Sequence, residues 1–142
     1  DNRLVEKDAM TVDGTPVDLT LVKTPTYVQA GREDHIAPAE SVWEITRHFR
    51  GPVEFVLAGS GHIAGVVNPP AKPKYGFWTG GPAKGRFEDW MAAATETKGS
   101  WWPYWFAWLE HQAPARVPAR VPGEGGLASL GPAPGTYVRM KA

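Results

Sequence analysis

The feature that most limits what this chain can fold into is a pair of short apolar runs with a helical pattern between them. Thr26-Tyr27-Val28-Gln29-Ala30 is rich in β-formers and closes on Gly31, while Val53-Glu54-Phe55-Val56-Leu57-Ala58 breaks at Gly59-Ser60-Gly61. Between them Pro38 suits the first turn of a helix, Val42, Ile45 and Phe49 recur at three- and four-residue steps, and Gly51-Pro52 stops the pattern. This order of strand, loop, helix, strand and loop is a βαβ unit. Its simplest closure is a right-handed crossover between parallel strands, which brings both strand C-termini to one sheet edge. Open α/β sheets bind their ligands at that edge. The loop after the first strand carries Asp34, and the loop after the second carries His62.

A carboxylate and an imidazole on neighbouring loops are the acid and base of a nucleophilic triad. The imidazole takes the proton of a Ser or Cys nucleophile, and the acid fixes its tautomer. Either residue alone has a plainer use: an Asp in a turn caps backbone, and a single His is usually a surface or satisfied core residue. Their joint placement is what favours chemistry. Gly59 and Gly61 let the chain turn sharply in front of His62, although glycines also simply end strands. Nucleophile, acid, base is the chain order of α/β hydrolases, but no nucleophile is evident here. There are no cysteines, and Ser60 lies too close to His62, without the G-x-S-x-G elbow. The nucleophile is therefore expected before residue 1, or is absent. The abrupt start Asp1-Asn2-Arg3 and a length short for such a domain both suggest a truncated chain.

Elsewhere the sequence narrows the possibilities. Lys plus Arg and Asp plus Glu are both 15, so no net field recruits nucleic acid or acidic lipid. The absence of cysteine excludes a disulfide framework and a thiolate metal site. No apolar run is long enough to span a bilayer, no signal pattern is present, and a cytoplasmic setting follows. Residues 1–18 form an approach segment with turn signals at Asp13-Gly14 and Thr15-Pro16. Asn68-Pro69-Pro70-Ala71-Lys72-Pro73-Lys74 is too proline-dense for regular structure. Phe87, Trp90, Met91 and Ala94 are spaced as a helix, and a second helix starts near Ser100-Trp101-Trp102-Pro103 and runs through Trp105, Trp108 and Leu109. These tryptophans could face a polymer or sugar, but Trp at helical spacing more often packs on a core. From Pro114 the chain is rich in Pro, Gly and Ala, with too few large apolar side chains to offset its ordering entropy. The expected organisation is a catalytic-domain part over 1–112, a flexible linker over 113–131 and a docking segment over 132–142, where Thr136-Tyr137-Val138-Arg139 could dock as a short strand.

Two stretches, Arg32-Glu33-Asp34-His35-Ile36 and Ser60-Gly61-His62-Ile63-Ala64-Gly65-Val66-Val67-Asn68-Pro69-Pro70, together with Gly99-Ser100-Trp101-Trp102-Pro103, resemble the C-terminal region of class I polyhydroxyalkanoate synthases. The likeness runs from Thr11 to Val138 and is weakest over 76–98 and 111–131, the loop-like stretches. Asp13 stands where the family motif often has Cys. The resemblance implies the C-terminal part of an α/β-hydrolase fold, an incomplete domain. It also implies an acyltransferase that polymerises (R)-3-hydroxyacyl-CoA into polyester on a catalytic Cys outside this chain, with Asp34 and His62 as acid and base. Asp34 would orient His62 or assist deprotonation of the attacking 3-hydroxyl. No cofactor or metal is implied, since the CoA thioester is substrate. The implied partners are the N-terminal remainder of the synthase, a second copy in a full-length homodimer, and the surface of a cytoplasmic polyester granule. His35 beside the acid is read as structural and Arg32 as a solvated charge rather than a CoA-phosphate ligand. Two other functions remain open: a non-catalytic granule-binding module built on the Trp cluster and tail, and a fragment of another α/β-hydrolase esterase or thioesterase.

Overall fold

A computed structural model of the chain describes residues 2–141. It divides into two compact units between Gln112 and Ala113. Asp1 and Ala142, the outer ends of the first and last expected segments, lie outside the described residues.

The first unit opens with a small hairpin, β1 (Thr11–Val12) and β2 (Thr15–Pro16). The Asp13-Gly14 turn has φ of 48° and 75°, the left-handed pair that a two-residue hairpin needs. Next, β3 (Thr26–Gly31) pairs in parallel with β4 (Val53–Ala58), in register from Thr26↔Val53 to Gly31↔Ala58. The connection is helical, as its spacing predicts, but it forms two short segments, α1 (Ala39–Trp43) and α2 (Ile45–His48), which meet at Glu44. It stops at Phe49, where the backbone becomes extended, because the Arg50 and Gly51 N–H groups turn to the Val22 carbonyl at 2.9 and 3.1 Å.

The sheet continues beyond this parallel pair. β5 (Phe77–Thr79) lies antiparallel on β4, and β6 (Thr95–Thr97) lies antiparallel on β5, giving the order β3-β4-β5-β6. Both strands fall in the stretch 76–98 read above as loop-like. They are three residues each, and every residue of β6 is exposed. At that length no alternation can be read from the sequence, and a short polar strand is how a sheet edge is commonly blunted. α3 (Phe87–Ala93) joins them, and α4 (Trp102–Gln112) follows β6.

The near-continuous apolar composition of β4 is explained by cover on both faces. Val28, Ala30, Phe55 and Leu57 point to one side, against Ala39 and Trp43 of α1 and Trp90 of α3. Trp43, 1% exposed, meets Phe55 edge-on with ring centroids 4.8 Å apart and donates its indole N–H to the Gly85 carbonyl at 3.0 Å. Val56, Ala58 and Phe77 point to the other side, where Trp101 is buried and Tyr27, Trp102 and Trp105 pack. Trp108 meets Tyr27 edge-on at 5.4 Å. The tryptophans near α4 thus pack on a core, as their spacing suggests.

In the second unit, residues 113–136 contain turns and bends but neither helix nor strand. The chain then forms a 3-10 turn at Tyr137–Arg139, with Met140 N–H on the Tyr137 carbonyl at 3.0 Å. This corrects the short strand expected at Thr136-Tyr137-Val138-Arg139. With no partner strand beside it among the described residues, the local alternative, an i to i+3 hydrogen bond, satisfies the backbone instead. Among the described residues no helix is long and apolar enough to cross a membrane.

Candidate functional site

The parallel register delivers the two loops to one edge, and backbone bonds continue the pairing past the strands. Arg32 N–H donates to the Ala58 carbonyl at 2.8 Å and Glu33 N–H to the Ser60 carbonyl at 3.1 Å. Ser60 adopts φ of 75°. For a residue with a Cβ that conformation costs about 1–2 kcal/mol, and it is held by the bond from Glu33. Gly31 leaves room where the loops meet: a Cβ there would lie a tight 3.1 Å from Asp34 Cβ and 3.2 Å from the Ser60 carbonyl oxygen.

Asp34 divides its carboxylate between two tasks. Oδ1 accepts the backbone N–H of Ile36 and of Ala37, both at 2.9 Å, which folds the loop around it. Oδ2 lies 2.8 Å from His62 Nδ1. Only 7% of the Asp34 side chain is exposed, against 48% for His62. The Ala37 N–H holds the carboxyl below the usual carboxylate range, with the His62 and Ile36 bonds adding to it and partial burial opposing them. Asp34 is therefore ionised at neutral pH and can only accept, so Nδ1 carries the proton. In the neutral imidazole, Nε2 is then the basic nitrogen, and it makes no hydrogen bond among the described residues. The pair can accept a proton from a group brought to Nε2, and the adjacent carboxylate stabilises the cation that forms.

His62 begins a helical turn. Gly65 N–H bonds back to the Gly61 carbonyl at 3.0 Å, and Val66 and Val67 N–H bond to the Ile63 carbonyl at 3.1 and 2.8 Å. Asn68, 2% exposed, closes the proline-dense connection behind this turn. Its Nδ2 donates to the Tyr75 carbonyl at 2.8 Å and its Oδ1 accepts the Lys74 N–H at 2.8 Å. Sequence reasoning passed over this residue, although a lone Asn directly before Pro-Pro is a residue type suited to tying a loop. It also passed over Tyr75, whose hydroxyl is drawn below its ordinary value, first by Lys74 and then by Ser60. Ile36 and Ile63, close to the pair in sequence, are 66% and 72% exposed.

The remaining candidates lie apart from this chemistry. Arg32 is exposed, as a solvated charge should be, and its guanidinium also stacks 4.5 Å from the Trp78 ring centroid. His35 is exposed and takes no part in the Asp34 bonds. A cleft of about 560 Å³ lined by Thr46, Arg50, Val53 and Lys84 opens at the other end of β4 and contains no acid-base pair. No group of three or more His, Cys, Asp or Glu that could hold a metal ion is found among the described residues.

No protein-family model matches the chain. Its relatives among characterised proteins are polymerases. The chain is 66% identical over 142 residues to the poly(3-hydroxyalkanoate) polymerase of Methylorubrum extorquens, a match covering 99% of this chain and 24% of that protein. It is 57% identical to the poly(3-hydroxyalkanoate) polymerase subunit PhaC of Rhizobium etli, over 96% of this chain and 21% of that one. It is 45% identical to the corresponding subunit of Cupriavidus necator, over 99% and 24%. The sequence is thus that of a segment of the poly(3-hydroxyalkanoate) polymerase family, spanning about a quarter of the length of the relatives it matches.

Proposed function

We propose that this chain is the acid and base portion of a polyhydroxyalkanoate synthase with an α/β-hydrolase fold, and that a Cys nucleophile from outside the chain completes the triad. The observation that carries this reading is the 2.8 Å bond between His62 Nδ1 and Asp34 Oδ2 at the C-terminal edge of adjacent parallel strands. His62 Nε2 takes the thiol proton, and the thiolate attacks the carbonyl of an (R)-3-hydroxyacyl-CoA. CoA leaves as its thiol, carrying the proton back from His62, and the acyl group remains as an enzyme thioester. In the elongation step a 3-hydroxyl gives its proton to His62 and attacks the next thioester, so that an ester bond forms as the thioester bond breaks, and the departing thiolate takes the proton back from His62. Asp34 keeps His62 in the tautomer that both steps need. An unperturbed thiol has a pKa of about 8.5, so a neighbouring base is what makes thiolate abundant at neutral pH.

Two further observations support a larger sheet around this segment. β3 lies at one end of the sheet order. The Tyr27 hydroxyl and Gln29 Nε2, both on β3, are buried without hydrogen-bond partners among the described residues. A further strand beside β3 would supply those partners, and its loss in the isolated chain favours poor solubility. The rest of the synthase is that partner, acting as a homodimer at the surface of a cytoplasmic granule. Residues 113–131 serve as a tether and 132–142 as a docking segment.

The test is His62→Ala in the full-length polymerase, followed by CoA release from 3-hydroxybutyryl-CoA. Loss of turnover with CoA-thioester binding intact is expected, and retained polymerisation would refute the assignment. Without a cysteine, the 142-residue chain alone is expected to show no synthase activity. An essential Ser elbow upstream, in place of Cys, would move the reading to an esterase.

A further inference from the structure

The turn that carries His62 is held by the residues that open α4. As at any helical terminus, its last carbonyls have no partners within the turn. Two consecutive indoles take them: Trp101 Nε1 donates to the Gly65 carbonyl and Trp102 Nε1 to the Val66 carbonyl, each at 3.0 Å. Trp101 is 8% exposed and stacks on Tyr27 with ring centroids 6.1 Å apart, in the cluster with Val56, Ala58 and Phe77. Trp102 N–H bonds to Ser100 Oγ at 3.1 Å, which fixes the start of α4. On its other flank the turn rests on the strand-terminal backbone, since a Cβ on Gly65 would lie 2.6 Å from the Gly59 carbonyl oxygen. Among the described residues, the half-exposed His62 ring has Asp34 as its one hydrogen-bonded side chain. Its location is otherwise set by the backbone of this turn.

We propose that Trp101 and Trp102 are positioning residues for His62, two neutral donors that fix the C-terminal end of its turn and so hold the imidazole over Asp34. This rests on the reading of His62 as a base. The indole N–H groups are committed to that backbone, and only Trp102 keeps part of its ring accessible. Removing one donor while keeping an aromatic ring leaves a carbonyl that must find water, and the turn tilts to reach it. A displaced base loses attack geometry without losing ground-state substrate binding, so the effect belongs in kcat rather than KM.

The experiment compares Trp101→Phe, Trp102→Phe and Trp105→Phe in the full-length polymerase. Trp105 shares the cluster, with its ring 5.8 Å from that of Trp101, and its indole makes no bond to the turn among the described residues. Trp102→Phe is expected to lower kcat about tenfold with KM nearly unchanged. Trp105→Phe is expected to lower thermal stability alone. In the Trp101 and Trp102 variants, the Nδ1–H resonance of selectively labelled His62 should broaden through faster exchange, and in the Trp105 variant it should not. Unchanged kcat and an unchanged resonance in Trp102→Phe overturn the proposal, as does an equal loss of stability in all three variants with kcat preserved. If Trp101→Phe does not fold, Trp102→Phe, at a partly exposed ring, decides alone. If His62→Ala proves active, the proposed function fails, while the resonance still reports whether the tryptophans position the ring.

Discussion

The loops after β3 and β4 each hold one side chain of the proposed acid-base pair, and they hold them in opposite ways. The first is organised around its side chain. Asp34 accepts two backbone N–H groups from its own loop, stays almost wholly covered, and offers one oxygen outwards. The second is organised without reference to its side chain. The His62 turn is fixed by its own backbone bonds, by Gly65 against Gly59 and by two indoles, while the ring stands half exposed with a single partner. The difference matches the roles of an orienting acid and a working base. A group that fixes a tautomer must not move, whereas a group that exchanges protons must be reachable. It also indicates where each loop is vulnerable: the first through the carboxylate, the second through the backbone beneath the imidazole.

The sharpest way to break this contrast is Asp34→Asn. The amide oxygen can still accept from Ile36 and Ala37, so the loop should keep its fold, but an amide nitrogen facing Nδ1–H favours the wrong tautomer. A loss of turnover on the order of 10⁴-fold in the full-length polymerase, with little change in melting temperature, is expected. A loop that unfolded instead would show that the carboxylate is chiefly a structural cap. Next in size is Gly65→Ala. The added methyl meets backbone at 2.6 Å and can be accommodated only by lifting the turn, and a displacement of about 1 Å at a reacting group costs on the order of 100-fold. Steady-state CoA release would show it as a fall in kcat, and wild-type turnover would mean that the turn is softer than its bonds suggest. Gly31→Ala is milder. Its contacts at 3.1 and 3.2 Å require shifts of tenths of an ångström, spreading both loops at once. About a tenfold loss of turnover and roughly 1 kcal/mol of stability are expected. Chemical denaturation of the same preparation separates the two effects.

Much of this contrast was legible before any coordinates. The βαβ unit is readable because β4 is covered on both faces and so presents a nearly continuous apolar run, and Asp34 and His62 stand out because each lies in the loop that follows a strand. What escaped reading is whatever depends on pairing between distant segments. β5 and β6 are too short to show a period, and they become strands through the free edge of β4. Asn68 gives no periodic signal, since its bonds run to Lys74 and Tyr75 across a proline loop. The packing of the tryptophans was foreseeable from their spacing, but the direction of the Trp101 and Trp102 indole N–H groups was not, because their acceptors, the Gly65 and Val66 carbonyls, lie 36 residues away in sequence. At Thr136-Tyr137-Val138-Arg139 β-propensity misled, since a strand needs a neighbour and this segment closes on itself.

The smallest effect in the series bears on the charge of Asp34 rather than its shape. Its carboxyl is held below the ordinary 3.8, first by the Ala37 N–H and then by His62 and Ile36. A group whose native pKa is depressed adds stability in full above its unfolded value and loses it as pH falls through the native one. The stability gap between the wild-type polymerase and its Asp34→Asn variant should therefore narrow as pH falls below about 4. Thermal midpoints of the two proteins, measured side by side across that acid range, give the gap directly. Partial exposure of the neighbouring imidazole keeps the effect modest through solvent screening. A gap that stayed constant into strong acid would mean that the loop uses the geometry of the carboxyl group and not its charge, leaving the stabilisation of a protonated His62 without its source.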